Sequence, residues 1–119
     1  MITKLKPQNF ELTSGNDKVL NFVHRNEDGN IVDITGATIS WALANSQKAK
    51  SRIIFYTTPV NVTIVNAVKG EYRVDIQAGD TEPLTGRDYY HEVRITSAGG
   101  VVHTAAFGTV TVRRNVIDT

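Results

Sequence analysis

The chain has 119 residues, 13 Lys and Arg against 12 Asp and Glu for a net charge of +1, and no cysteine. One domain of this length buries roughly two-thirds of its unfolded surface, so an apolar core holds it without disulfide or metal. The balanced, scattered charge excludes a strong field for recruiting nucleic acid or anionic lipid, and no apolar run approaches the roughly 20 residues of a membrane-spanning helix.

Residues 1–9 read as a flexible arm. Lys4, Lys6 and Pro7 oppose regular structure, and no apolar run follows them as a secretory signal requires, so synthesis in the cytoplasm is expected. Phe10 and Leu12 open the first strand of a domain expected over residues 10–113, with a tail at 114–119. After a turn cluster at residues 14–17, residues 19–24 alternate as a second strand with Leu20, Phe22 and His24 on one face. Asp28-Gly29 signals a hairpin that returns through Ile31 and Val32. In the third core strand Ala37, Ile39, Trp41 and Leu43 face in, while Thr38, Ser40, Ala42 and Ala44 face out. Its tryptophan indole requires a partner for the N–H if buried. Residues 45–51 are polar and read as a loop, in which Lys48, Lys50 and nearby Arg52 form a solvated basic cluster. A β-rich run then carries Ile53, Ile54, Phe55 and Tyr56 up to Pro59. Val60, Val62 and Ile64 alternate next, and Tyr72, Val74 and Ile76 follow the Lys69-Gly70 turn.

Residues 79–112 carry the most organised pattern. Tyr89, His91, Val93 and Ile95 alternate with Tyr90, Glu92, Arg94 and Thr96, and a second alternating run extends from Val102 to Val112. Gly99-Gly100 between them reads as a two-residue primed turn. That turn pairs Ile95 with Thr104 and Val93 with Ala106, and sets His91 and His103 on opposite faces. Tyr89, after the bend at residues 85–88, is placed as a tyrosine corner whose hydroxyl ties back to nearby backbone. About seven to nine short strands at roughly ten-residue spacing, with no helix, predict an all-β fold, an antiparallel Ig-like β-sandwich. Trp41, Tyr72, Tyr89, Gly99 and Gly100 are its expected structural residues.

Reaction chemistry is sparse. His24, His91 and His103 invite a metal site, but His24 falls elsewhere in the pattern and no cysteine completes a soft one; core-filling or edge roles are expected. No G-x-S-x-G elbow is present. Glu27 with Asp28, and Asp80 with Glu82, sit in turns where solvent keeps carboxylates ordinary. Asp28 and Asn30 flank Gly29 in a partly calcium-like spacing that lacks the closing glutamate. Gly99-Gly100 leads into a strand, so no helix N-terminus is there to cradle a phosphate. Tyr90 and Arg94 share an outer face, the best case for base stacking, and read as a cross-strand packing pair. No catalytic residue, cofactor or metal ligand is expected.

Two segments in order resemble one family. Asp33-Ile34-Thr35-Gly36-Ala37-Thr38-Ile39-Ser40-Trp41 is similar to the D-L-T-G-A-T-V strand opening of tailed-phage proteins. Gly79-Asp80-Thr81, Tyr89-Tyr90-His91-Glu92-Val93, the glycine turn and Gly108-Thr109-Val110-Thr111-Val112 resemble the second half of the same domain. That domain is the immunoglobulin-like N-terminal sandwich of phage upper-baseplate and tail-fibre-type proteins. His91 stands where the family usually has a small residue, and the sequence ends at Thr119, short of the region that continues into trimeric stems. The resemblance implies a virion structural protein without catalysis, in the tail or baseplate, or as a small capsid decoration or head–tail joining protein. Its partners would be other virion proteins and itself, as a homo-oligomer, with neither nucleic acid nor membrane; its location would be the virion, after synthesis in the host cytoplasm. Sheet edges, residues 45–58 and the termini are the expected contacts: Ile2, Leu5, Phe10, Phe55, Tyr56, Tyr90, Arg94, Arg113, Val116 and Ile117. The alternative is a soluble carbohydrate- or ligand-binding β-module using exposed Tyr56 or Tyr90 as a stacking platform.

Overall fold

The alternating segments become eight strands in a computed structural model that describes residues 7–49 and 51–116. They are β1 (Phe10–Thr13), β2 (Lys18–Val23), β3 (Thr38–Ala44), β4 (Arg52–Thr57), β5 (Val62–Asn66), β6 (Glu71–Ile76), β7 (Asp88–Thr96) and β8 (Val102–Arg113). Five form one sheet in the order β1-β8-β7-β3-β4, and three form the other in the order β2-β6-β5. The two sheets make an Ig-like β-sandwich. All strand pairs are antiparallel except β1 with β8, which run parallel from Phe10 opposite Val110 to Thr13 opposite Arg113.

The core follows from the period-2 pattern. Ile39, Trp41 and Leu43 of β3 and Val93 and Ile95 of β7 face Tyr72, Val74 and Ile76 of β6, all buried. Side chains between them on each strand point outward, as a sheet with one solvated face requires. Trp41 lies at the centre, stacked on Tyr56 at 5.6 Å between ring centroids.

The β7–β8 hairpin differs from expectation at two points. Its loop has three residues rather than two: Ser97 N–H donates to Val101 O and Gly100 N–H to Ser97 O, both at 2.8 Å. Only Gly100, at φ 89°, takes the left-handed conformation that ends such a loop, so Gly99 is not required as glycine. Farther along, a bulge shifts the register between Val93 and Arg94. Val93 still faces Ala106, but Arg94 faces Thr104 and Ile95 faces His103. The extra residue, Ala105, moves His103 onto the same side as Ile95 and His91, reversing the expected opposition of the two histidines.

Two local assignments also change. Ile31 and Val32 form no strand; the return after Asp28-Gly29 is a single bridge between Arg25 and Ile31. Where no helix was expected, one turn, α1 (Ala78–Thr81), links β6 to β7. Too short for an apolar stripe, it is held by neighbours: Asp17 Oδ1 accepts from Ala78 N–H at 2.6 Å, and the fully buried Thr81 accepts from Gly15 N–H at 2.9 Å.

Candidate functional site

The expected contact residues separate into an exposed set and a buried set. Ile2, Leu5 and Ile117 lie outside the described residues. On β4 the alternation sends Ile54 and Tyr56 inward and Ile53 and Phe55 outward, 41% and 44% exposed. Arg52 places its guanidinium 4.0 Å from the Phe55 ring centroid, a cation–π contact at the outer edge of the five-stranded sheet. Val116 is exposed, as is Arg113, which reaches Glu11 of β1 at 3.6 Å.

Tyr56 is not a contact residue or a stacking platform. It is 5% exposed, its ring lies against Trp41, and its hydroxyl donates to Asp80 Oδ2 at 2.6 Å while accepting from Gln77 N–H at 3.1 Å. Burial, and then the Asp80 carboxylate, push this phenol up to about 12. Asp80 thereby ties α1 to β4. Tyr90 is half-buried on the outer face of β7 and donates to Glu92 Oε1 at 3.0 Å, while Arg94 lies 3.8 Å from Glu92 Oε2. The expected Tyr90–Arg94 pair is therefore joined through the carboxylate between them. Burial, with Glu92, pushes the Tyr90 phenol up to about 12.

Of the expected structural residues, the aromatic ones Trp41, Tyr72 and Tyr89 are buried in the core, whereas Gly99 is not needed as glycine. Tyr89 forms the corner: its hydroxyl accepts from Thr85 N–H at 3.0 Å and donates to Thr85 O at 3.3 Å. Tyr72 is buried and stacks on Phe22 at 5.1 Å, and burial pushes its phenol up.

The least expected polar group is His91. It follows the corner tyrosine by two residues, the position that antibody domains give to the second cysteine of the inter-sheet disulfide. Here a fully buried imidazole fills it, Trp41 Nε1–H donating to its Nδ1 at 3.2 Å. Since indole can only donate, Nδ1 is unprotonated and Nε2–H donates to Gln8 O at 2.5 Å. Phe10, the first residue of β1, covers the ring edge-on at 4.9 Å. Burial pulls the His91 pKa below its ordinary value, against the opposing effect of Gln8. Gln8 and Asn9 therefore do not belong to a free arm: Gln8 N–H donates to Phe107 O at 2.7 Å, and Asn9 Oδ1 accepts from Thr109 N–H at 2.8 Å. A Tyr-x-His pattern in place of Tyr-x-Cys was the available signal for this cluster; Gln8 carried none.

His24 and His103 meet at the other end of the sandwich, where the sequence pattern had set them apart. Their ring centroids are 6.4 Å apart, and both line a cleft of about 880 Å³ between β2 and the start of β8. His24 is buried with Nδ1 unpartnered, and burial, then His103, lower its pKa. Among the described residues no three His, Asp or Glu side chains converge as a metal-binding group.

No family model matches the chain, and no curated protein matches it either. Among solved structures, murine CRIg is similar over 94% of this chain and 97% of its own, at 15% sequence identity and a TM-score of 0.43.

Proposed function

We propose that the chain is a non-enzymatic structural subunit of a bacteriophage virion, in the tail or baseplate or as a small decoration or joining protein, that grips its neighbours through sheet edges and terminal segments. The ordered strand motifs of the family resemblance support this reading. So does the outer edge of β4, which pairs only with β3 and carries exposed Ile53 and Phe55. An unpaired edge with exposed apolar side chains is a ready template for a neighbouring chain. No described feature favours the glycan-binding alternative: Tyr56 is buried and Tyr90 is engaged by Glu92.

The edge observation carries the proposal and sets its test. Mass spectrometry of gradient-purified particles should find this chain in fixed stoichiometry with other virion proteins. A doubly substituted Ile53→Thr, Phe55→Ser protein should fold normally yet be depleted from particles by about tenfold or more, the loss of roughly 1.4 kcal/mol of contact. Absence of the natural chain from intact particles, or undiminished incorporation of the variant, would overturn the proposal.

A further inference from the structure

We propose that His91 is an acid-operated latch: neutral, it clasps Gln8 and holds the segment leading into β1 against β8; protonated, it lets that segment go. The clasp has three parts. Gly108, directly opposite His91 in the β7–β8 ladder, leaves a notch so tight that a Cβ there would lie 2.4 Å from Gln8 O. Into that notch the Gln8 carbonyl descends to meet Nε2–H, while Gln8 N–H bonds Phe107 O. Phe10 closes over the imidazole.

Trp41 makes the clasp sensitive to protons. Its indole N–H occupies the Nδ1 lone pair, and adding a proton there sets two donors against each other. The indole has no room to yield, being fully buried at the centre of β3 and stacked on Tyr56. The other side yields more easily, because β1 is a four-residue edge strand paired only with β8. Among the described residues, no carboxylate bonds the ring to offset a buried imidazolium. Facing the ring are Gln8 and Phe10 from the β1 side, Trp41 and Leu43 from β3, and Gly108 from β8, none of them ionisable. On β7 itself Glu92 alternates to the outer face, where Tyr90 and Arg94 engage it; Tyr56 behind Trp41 is tied to Asp80, and Tyr89 to Thr85. An uncompensated charge at that depth is costly, so the imidazolium turns out past the β1 edge to reach water, and Gln8 is displaced from its notch and released. The argument is independent of the virion reading.

The single tryptophan supplies the test. In the intact chain, nuclear magnetic resonance from about pH 7.5 to about pH 4.5, spanning the ordinary histidine range, follows the Trp41 indole proton, the Gln8 and Thr109 amides and the three histidine rings. The expected result is that the indole and both amides move together with the His91 ring, while the Val74 amide at the centre of the three-stranded sheet stays in place. The released population rises about tenfold per pH unit below the unlatched ring's pKa, until the latched ring itself protonates. In a His91→Gln variant the Gln8 amide should be insensitive to pH, and in a His24→Gln variant it should titrate as in the natural chain. Should the first variant not fold, the wild-type titration decides. A Gln8 amide that stays put while the His91 ring titrates overturns the latch, as does one that follows His24. Global unfolding before His91 titrates overturns it as well.

Discussion

Replacing Gly108 by alanine puts one methyl group where the backbone of the preceding segment already lies. The new Cβ would sit 2.4 Å from Gln8 O, 2.7 Å from Gln8 C and 2.8 Å from Asn9 Oδ1. Two of those atoms are main chain, so no rotamer change relieves the clash and residues 8–9 must move off β8. Three hydrogen bonds go with them: Gln8 to Phe107 O, Thr109 to Asn9 Oδ1, and His91 to Gln8 O. The first two exchange for water at about 1 kcal/mol each or less, while the His91 donor is left buried at about 1–3 kcal/mol. Partial relaxation brings the expected loss to about 2–4 kcal/mol, read as a lower urea midpoint at constant slope. Gly79→Ala is the matched control, since its Cβ meets nothing within 4 Å, and it should change stability by less than about 0.5 kcal/mol. A Gly108→Ala midpoint indistinguishable from that of the control would refute the tight docking of Gln8.

Other perturbations bear on separate parts of the molecule. Tyr89→Phe removes the corner bonds to Thr85 and should cost about 1 kcal/mol in urea unfolding; an unchanged midpoint would count against the corner. Tyr56→Phe leaves Gln77 N–H and Asp80 without their shared hydroxyl and should cost about 1–2 kcal/mol. The same variant should lose one of the phenols that ionise near 12 in ultraviolet titration, and retention of that phenol would disprove the assignment. His24 and His91 both have folded pKa values below the ordinary 6.5. Above that value neither ring affects stability; below it the unfolded chain gains protons that the folded chain does not, until each folded pKa is reached. Each histidine should therefore lower stability by up to about 1.4 kcal/mol per pH unit in that window. A urea midpoint constant from neutral pH down to about 5 would contradict this.

Much of the sandwich was legible because burial writes itself into alternation. Ile39, Trp41 and Leu43, or Tyr72, Val74 and Ile76, declare an inner face wherever the strand is regular. The register near Ile95 was not legible, since the extra residue Ala105 leaves no local mark: Ala-Ala reads equally well in a bulge or a regular strand. The three-residue loop was missed because Gly99-Gly100 satisfies a shorter turn, and only the closing bonds at Ser97 distinguish the two. Tyr56 misled for a different reason. In a run where Ile53, Ile54, Phe55 and Tyr56 are all apolar or aromatic, either parity is allowed, and the partner that settles it, Asp80, lies 24 residues away. The docking of Gln8 depends on an absent side chain at Gly108, visible only once β8 and the N-terminal segment lie together.

Placing an imidazole where an antibody domain carries a cystine has a consequence for the conditions under which the sandwich holds. A covalent cross-link needs an oxidant to form and yields to reductants; the Trp41–His91–Gln8 chain needs neither. Thiol reductants that cleave an antibody domain's cystine have no bond to cleave at this junction. Its strength is set by the solution's acidity instead.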